Sequence, residues 1–150
     1  MTQNANDKPI QFIIASQEDV TMLSAFLQDA LIAPHDIHYD KARHEVVMVA
    51  DRYRWEQSAN RDERVLMGLR IGKVRALLQK NMAKPNADNA PSLFYNLLQV
   101  SYEQEQDGTN ALIFTFSAGA AVRLIIDDLM MSAGDIAPPR PAIAKPSHEV

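Results

Sequence analysis

The sequence contains no cysteine, and that absence excludes disulfides, thiolate metal sites, iron–sulfur clusters and cysteine nucleophiles together. Glycine is scarce, at five residues in 150. Neither a phosphate-binding loop nor a dinucleotide fingerprint occurs, and there is no nucleophile elbow or zincin motif. No stretch approaches the roughly 18 consecutive apolar residues of a membrane-spanning helix. Met1 to Lys8 is polar and lacks an apolar leader core, so the expectation is a cytoplasmic protein with no membrane partner. No motif implies a cofactor.

What is present is ordinary globular composition, 47% hydrophobic and 23% charged, well away from the low-hydrophobicity signature of disorder. The length suits one domain. We expect it over residues 9–137, with residues 1–8 and the proline-rich 138–150 as disordered tails.

The net charge of -4 conceals an asymmetry: eleven Lys/Arg and only five Asp/Glu fall between Lys41 and Lys84. If that basic segment folds into neighbouring strands it can present a positive face to an acidic protein or peptide. Strand exteriors also carry Arg and Lys as solvated edge protection. The acidic balance of the whole chain argues against nucleic acid as the partner.

The pattern begins with a buried strand at Pro9–Ala15 and then a helix start, in which Ser16 and Asp19 form a variant of the capping box. Val20, Leu23, Leu27, Ala30 and Leu31 follow at helical spacing, and the helix must stop before Pro34. The period then changes to two. His35–Tyr39 and Glu45–Tyr53 read as a hairpin, with apolar residues on both faces around Val46 to Val49. That pattern suits a central strand, or a homodimer contact. A polar loop at Gln57–Asp62 leads to a strand at Arg64–Ile71. A turn at Gly72–Lys73 precedes Val74–Asn81, which reads as strand in preference to helix. After a loop at Ala83–Pro91, three strands at Leu93–Glu105, Asn110–Phe116 and Ala121–Ile126 form a meander. A short helix is expected at Leu129–Met131, behind Asp127 and Asp128. The sum is an α+β domain, predominantly antiparallel sheet in a roll or partly closed barrel, pleckstrin-homology-like in its strand count, with one N-terminal and one short C-terminal helix.

Asp51-Arg52-Tyr53-Arg54-Trp55-Glu56 sets aromatics and guanidinium groups on alternate faces, a combination able to stack on or grip an acidic peptide. With Arg64, Arg70 and Arg75 it forms the candidate binding set: Arg52, Tyr53, Arg54, Trp55, Arg64, Arg70 and Arg75. The same aromatics would serve to plug the end of a sheet. A weak metal candidate is Asp36, His38 and Asp40, which alternate onto one face of a strand and offer oxygen and nitrogen donors. The alternative function is a small-molecule enzyme or ligand sensor with a pocket between helix and sheet, using Asp36, His38 or Arg123. Ser117-Ala118-Gly119-Ala120 reads as a hairpin turn, since it joins two strands and opens no helix.

Leu23-Ser24-Ala25-Phe26-Leu27-Gln28-Asp29-Ala30, the Asp51–Glu56 segment and Phe116-Ser117-Ala118-Gly119-Ala120-Ala121-Val122-Arg123-Leu124 together resemble an alphaproteobacterial family of small proteins known as a domain of unknown function. The resemblance spans most of residues 10–134. It departs at Ser117-Ala118, where a pair of glycines is more usual in the family, and at Lys73–Met82. It implies a bacterial, cytoplasmic protein and brings no catalytic residues. The expectation is a non-enzymatic binding or interaction domain that engages an anionic partner through its basic middle segment.

Overall fold

The computed structural model describes residues 9–56, 62–82 and 93–142. All of the first expected tail, residues 143–150 of the second, the loop at 83–91 and all of the 57–62 loop except Asp62 lie outside the described residues. The first strand, β1, covers Gln11–Ile14 and leads directly into helix α1, Gln17–Phe26. Its capping box forms as expected. The Asp19 N–H donates to Ser16 Oγ at 3.2 Å, and the Ser16 N–H donates back to the Asp19 carboxylate at 3.1 Å, so two orphan donors of the helix start are satisfied.

The helix ends at Phe26, earlier than its apolar spacing suggests, because Asp29 turns left-handed at φ 65°. The chain is drawn away there. Asp29 N–H donates to the Leu97 carbonyl and Leu97 N–H to the Ala30 carbonyl, both at 2.8 Å. Leu31 therefore joins a strand, β2 at Leu31–Ile32.

After a 3-10 turn at Pro34–Asp36 come β3 (Ile37–Asp40), β4 (Glu45–Tyr53), β5 (Glu63–Ile71) and β6 (Val74–Lys80). The meander supplies β7 (Tyr95–Gln104), β8 (Asn110–Phe116) and β9 (Ala121–Ile126), and the chain continues to β10 (Met131–Asp135) and β11 (Arg140–Pro141). All pairings are antiparallel, in the order β1-β10-β5-β4-β2-β7-β8-β9-β6, with β3 beside β4 and β11 beside β5. The sheet is not closed. Its terminal strands are β1 and β6, and β4 is central, as its two apolar faces predict.

Alternation assigns the core. Val46, Met48 and Ala50 of β4 and Val65, Met67, Leu69 and Ile71 of β5 face inward, opposite Leu112, Phe114 and Phe116 of β8 and Val122, Leu124 and Ile126 of β9. Val20 and Leu23 of α1 and Leu27 just beyond it join the buried set. Each large side chain so buried stabilises the fold by about 1.5–3 kcal/mol relative to exposure.

One expectation changes. No helix forms at Leu129–Met131: Met131 and Ala133 are buried and alternate with Ser132 and Gly134, a period of two that fits β10 between β1 and β5. Strand pairing continues past Ala137, where Arg140 and Pro141 pair with Arg64 and Glu63, and Ala142 N–H donates to the Asp62 carbonyl at 2.8 Å. In β6 the strand reading holds. A register shift between Val74 and Ala76 brings Leu77 against the core and leaves Leu78 exposed.

The 117–120 turn explains its own composition. Ala118 and Gly119 both take positive φ, 61° and 75°, a conformation in which glycine carries no Cβ penalty.

Replacing Ser16 by Ala removes the hydroxyl acceptor of the only helix among the described residues. Urea denaturation should show a loss of about 1 kcal/mol, and Ser16→Thr should retain most of it.

Candidate functional site

Of the expected binding set, Arg52, Tyr53 and Arg54 are buried, Trp55 and Arg64 half-buried, and Arg70 and Arg75 exposed. Arg52 lies on the inward face of β4, following Val46, Met48 and Ala50, and is 0% exposed. A guanidinium without water needs its donors filled by carboxylates. Its Nε and Nη2 donate to Asp135 of β10 at 3.0 and 2.9 Å, and its Nη1 and Nη2 to Glu56 at 2.9 and 2.8 Å. Asp135 also accepts from the Ile10 N–H at 3.0 Å. The Phe26 ring of α1 stands with its centroid 5.8 Å from the guanidinium carbon, and Phe12 packs on Phe26 at 5.0 Å. One side chain thus joins β4, β10, the start of β1 and the helix.

Burial alone would lower the Arg52 pKa, but the hydrogen bonds and charges of Glu56 and Asp135 outweigh it and the net shift is upward. Glu56 moves the opposite way. Its own burial works to raise its pKa, yet Arg52 and then Arg54 hold it below the ordinary carboxylate value.

Arg54 is also buried, with Nη1 donating to Glu63 at 2.8 Å. Tyr53 is buried on the opposite face of β4, its hydroxyl donating to the Asp62 carboxylate and its ring 4.6 Å from that of Trp55. Trp55 Nε1 donates to the Gln28 carbonyl at 3.0 Å, which ties the end of β4 to the chain leaving the helix. Arg64 Nη1 donates to the Asp51 carbonyl at 2.9 Å, and Arg140 pairs with the Asp51 carboxylate. The Arg52-Tyr53-Arg54-Trp55 segment is accordingly tied to neighbouring elements through its own side chains. Alternation of aromatic and basic residues does not announce such a tie, because the partner Asp135 lies 83 residues away.

Arg70 and Arg75 are at the other end of the sheet. Arg70 is opposite Val47, five residues from Arg52 along β4, or about 17 Å at strand rise. Both are exposed, Arg70 3.5 Å from Glu45 and Arg75 2.6 Å from Asp127. Arg43, exposed in the β3–β4 turn, is 3.8 Å from Asp40. Lys41 and Lys73 are exposed and have no acidic partner among the described residues.

The weak metal candidate does not assemble. Asp36 falls in the 3-10 turn and lies 3.7 Å from His35, while Asp40 is engaged by Arg43 and its backbone N–H. Among the described residues no three His, Asp or Glu side chains group so as to hold a metal ion. A cavity of about 310 Å³ does lie between helix and sheet, but Gln17, Thr21, Ser24, Gln28, Gln99 and Ser101 supply its polar lining. None of Asp36, His38 or Arg123 reaches it. Arg123 sits instead on β9 near Glu103 and Glu105, each at 3.6 Å.

A second cavity, about 290 Å³, is lined by Ile13, Ile14, Ala15, Gly72, Leu129, Met130, Met131 and Ser132, with Glu45 and Arg70 as its charged members. Nothing in the sequence pattern announces it, since its apolar residues come from three strand ends brought together only by the β1-β10-β5 pairing. Among the described residues no helix is long and apolar enough to cross a membrane.

Fold and surfaces define a mostly antiparallel sheet domain with a single described helix and a charged clamp in its interior. The chain belongs to the protein family of unknown function DUF2948, whose model matches residues 10–148. No curated protein and no solved structure matches it.

Arg52→Met should strand two carboxylates and cost about 3–5 kcal/mol in urea denaturation. Arg52→Met/Glu56→Leu/Asp135→Leu should recover most of that loss, because no buried charge is left unpaired. A separate test concerns Tyr53, whose hydrogen bond to Asp62 and whose burial push its pKa from 10.0 up to about 12. A raised folded-state value means stability that is complete below about pH 10 and lost as pH climbs through about 12. Denaturation midpoints of Tyr53→Phe should be lower than wild type at neutral pH and flatter across that alkaline window.

Proposed function

We propose that this protein is a non-enzymatic binding domain that engages an acidic protein or peptide through the cations of two neighbouring turns. The observation that carries the reading is one hydrogen bond. The Val74 N–H donates to the His44 carbonyl at 2.7 Å, which holds the β3–β4 turn against the β5–β6 turn. Lys41 and Arg43 of the first turn thereby share an end of the sheet with Arg70, Lys73 and Arg75. Lys41 and Lys73 keep their charge available, while the buried Arg52 and Arg54 do not contribute. A cytoplasmic setting belongs to the same proposal.

Rolling of the sheet supports this gathering of turns. Six interstrand spacings separate β5 from β6 along the pairing order, about 29 Å if the sheet were flat. Only Gly72 and Lys73 join them, and three Cα steps reach about 11 Å. A strongly curled sheet reconciles the two lengths. The pleckstrin-homology version of that roll would want a closing C-terminal helix, where this chain has β10.

Fluorescence anisotropy with a labelled polyglutamate peptide tests the reading. Binding at low salt should weaken as ionic strength rises, and Lys41→Glu/Lys73→Glu should weaken it about tenfold while the far-UV circular dichroism stays unchanged. Absence of binding at low salt, or indifference to the charge reversal, would reject the proposal.

A further inference from the structure

We infer that the groove between Ile13 and Met130 binds a free α-amino acid with an apolar side chain, its carboxylate on Arg70 and its ammonium on Glu45. The inference goes beyond the turn-cation reading and is independent of it, since it concerns a small zwitterion on the outer face of the sheet.

Strand register builds the groove. Ile13 is opposite Ser132, Ser132 opposite Arg70 and Arg70 opposite Val47. Leu69 and Ile71 are buried, so alternation places Arg70 and its row on the face away from the core. A second row follows from the Gly72 N–H, which donates to the Met130 carbonyl at 2.8 Å. Val46 pairs with Ile71, which brings Glu45 level with Gly72. The floor between the rows is low, because Ser132 has a short side chain and Gly72 none. Ile13, 81% exposed, and Met130, 58% exposed, form its walls. A Cβ at residue 72 would meet Met130 Sδ at 3.3 Å, so glycine keeps the floor open. The volume of about 290 Å³ is that of roughly ten water molecules, which suits one amino acid and falls at the lower limit of ligand cavities.

The two charged members select the ligand. Arg70 Nη1 lies 3.5 Å from Glu45 Oε1, beyond the roughly 2.7–2.9 Å of a charge-assisted hydrogen bond, so the guanidinium keeps donors and the carboxylate keeps acceptors for a third party. An apolar anion such as a fatty acid would be drawn to Arg70 and repelled by Glu45. An apolar amine would be drawn to Glu45 and repelled by Arg70. An uncharged apolar molecule would take water from both charges and return no hydrogen bond. An α-amino acid carries both charges on a single carbon, at a spacing comparable to that of the Glu45–Arg70 pair, and meets each with its opposite. Its side chain then lies over Gly72 and Ser132, against Ile13 and Met130. A mid-chain peptide segment has neutral amides in place of these charges, and so does the uncharged β1 of a second copy.

Isothermal titration calorimetry with leucine, methionine and phenylalanine tests the inference. At least one should bind wild type. Its amide and its N-acetyl derivative, which each lack one charge, should bind about tenfold more weakly, and glycine should not bind. Arg70→Gln should weaken binding about tenfold. Gly72→Leu fills the floor at a residue without a left-handed φ, and it should abolish binding while the far-UV circular dichroism stays unchanged. The Met130 methyl resonance of wild type should move as ligand is added. The result is overturned if none of the three amino acids binds, if either single-charge derivative or hexanoic acid binds as tightly as the amino acid, if Arg70→Gln binds as wild type does, or if binding leaves Met130 unmoved. Lys41→Glu/Lys73→Glu should bind the amino acid normally, so failure of the turn-cation reading shows separately, in the polyglutamate measurements.

Discussion

The Arg52 guanidinium lies wholly out of water, and a buried cation tolerates few arrangements of what surrounds it. Its two carboxylates must come close in bidentate geometry, so Asp135 and Glu56 fix the end of β10 and the chain leaving β4 relative to one another. Asp135 in turn orients the Ile10 N–H, which sets where β1 begins. The aromatic pair Phe26 and Phe12 then covers the remaining face. The end of β10, the start of β1 and the helix are thus all tied to this one charge.

Local chemistry made much of the fold legible. Ser16 and Asp19 announced the helix start, and the double-faced apolar run at Val46 to Val49 a central strand. These signals act over a few residues, within reach of sequence periodicity. What escaped depends on long-range pairing. Asp127 and Asp128 stand ahead of the apolar triplet Leu129–Met131, a helix-like beginning, yet Met131 to Asp135 becomes a strand because β1 and β5 leave a place between them. Asp29 similarly cuts the helix short in favour of Leu97.

The candidate site was legible in its residues and illegible in its burial. The Arg52–Trp55 segment stood out for a reason, since concentrated guanidinium and aromatic groups mark a place where charge and packing meet. Whether such a place faces solvent depends on the carboxylates nearby, and Asp135 and Glu63 become neighbours only through the pairing of β10, β5 and β4. The exposed cations at the opposite end have no distinguishing local pattern. Their proximity comes from Val74 and His44 meeting across two turns.

Pairing of β1 with β10 joins segments far apart in sequence, Ile10 and Asp135 being separated by 125 residues. On a ribosome adding roughly 5–20 residues per second, β1 waits on the order of ten seconds for its only described strand partner. During that interval Phe12, Ile13 and Ile14 are an unpaired apolar strand, and the guanidinium of Arg52 lacks Asp135. Completion of the sheet therefore waits for the whole stretch between β1 and β10 to be made, and chains truncated before Asp135 would be released with β1 unpaired and available for unwanted association.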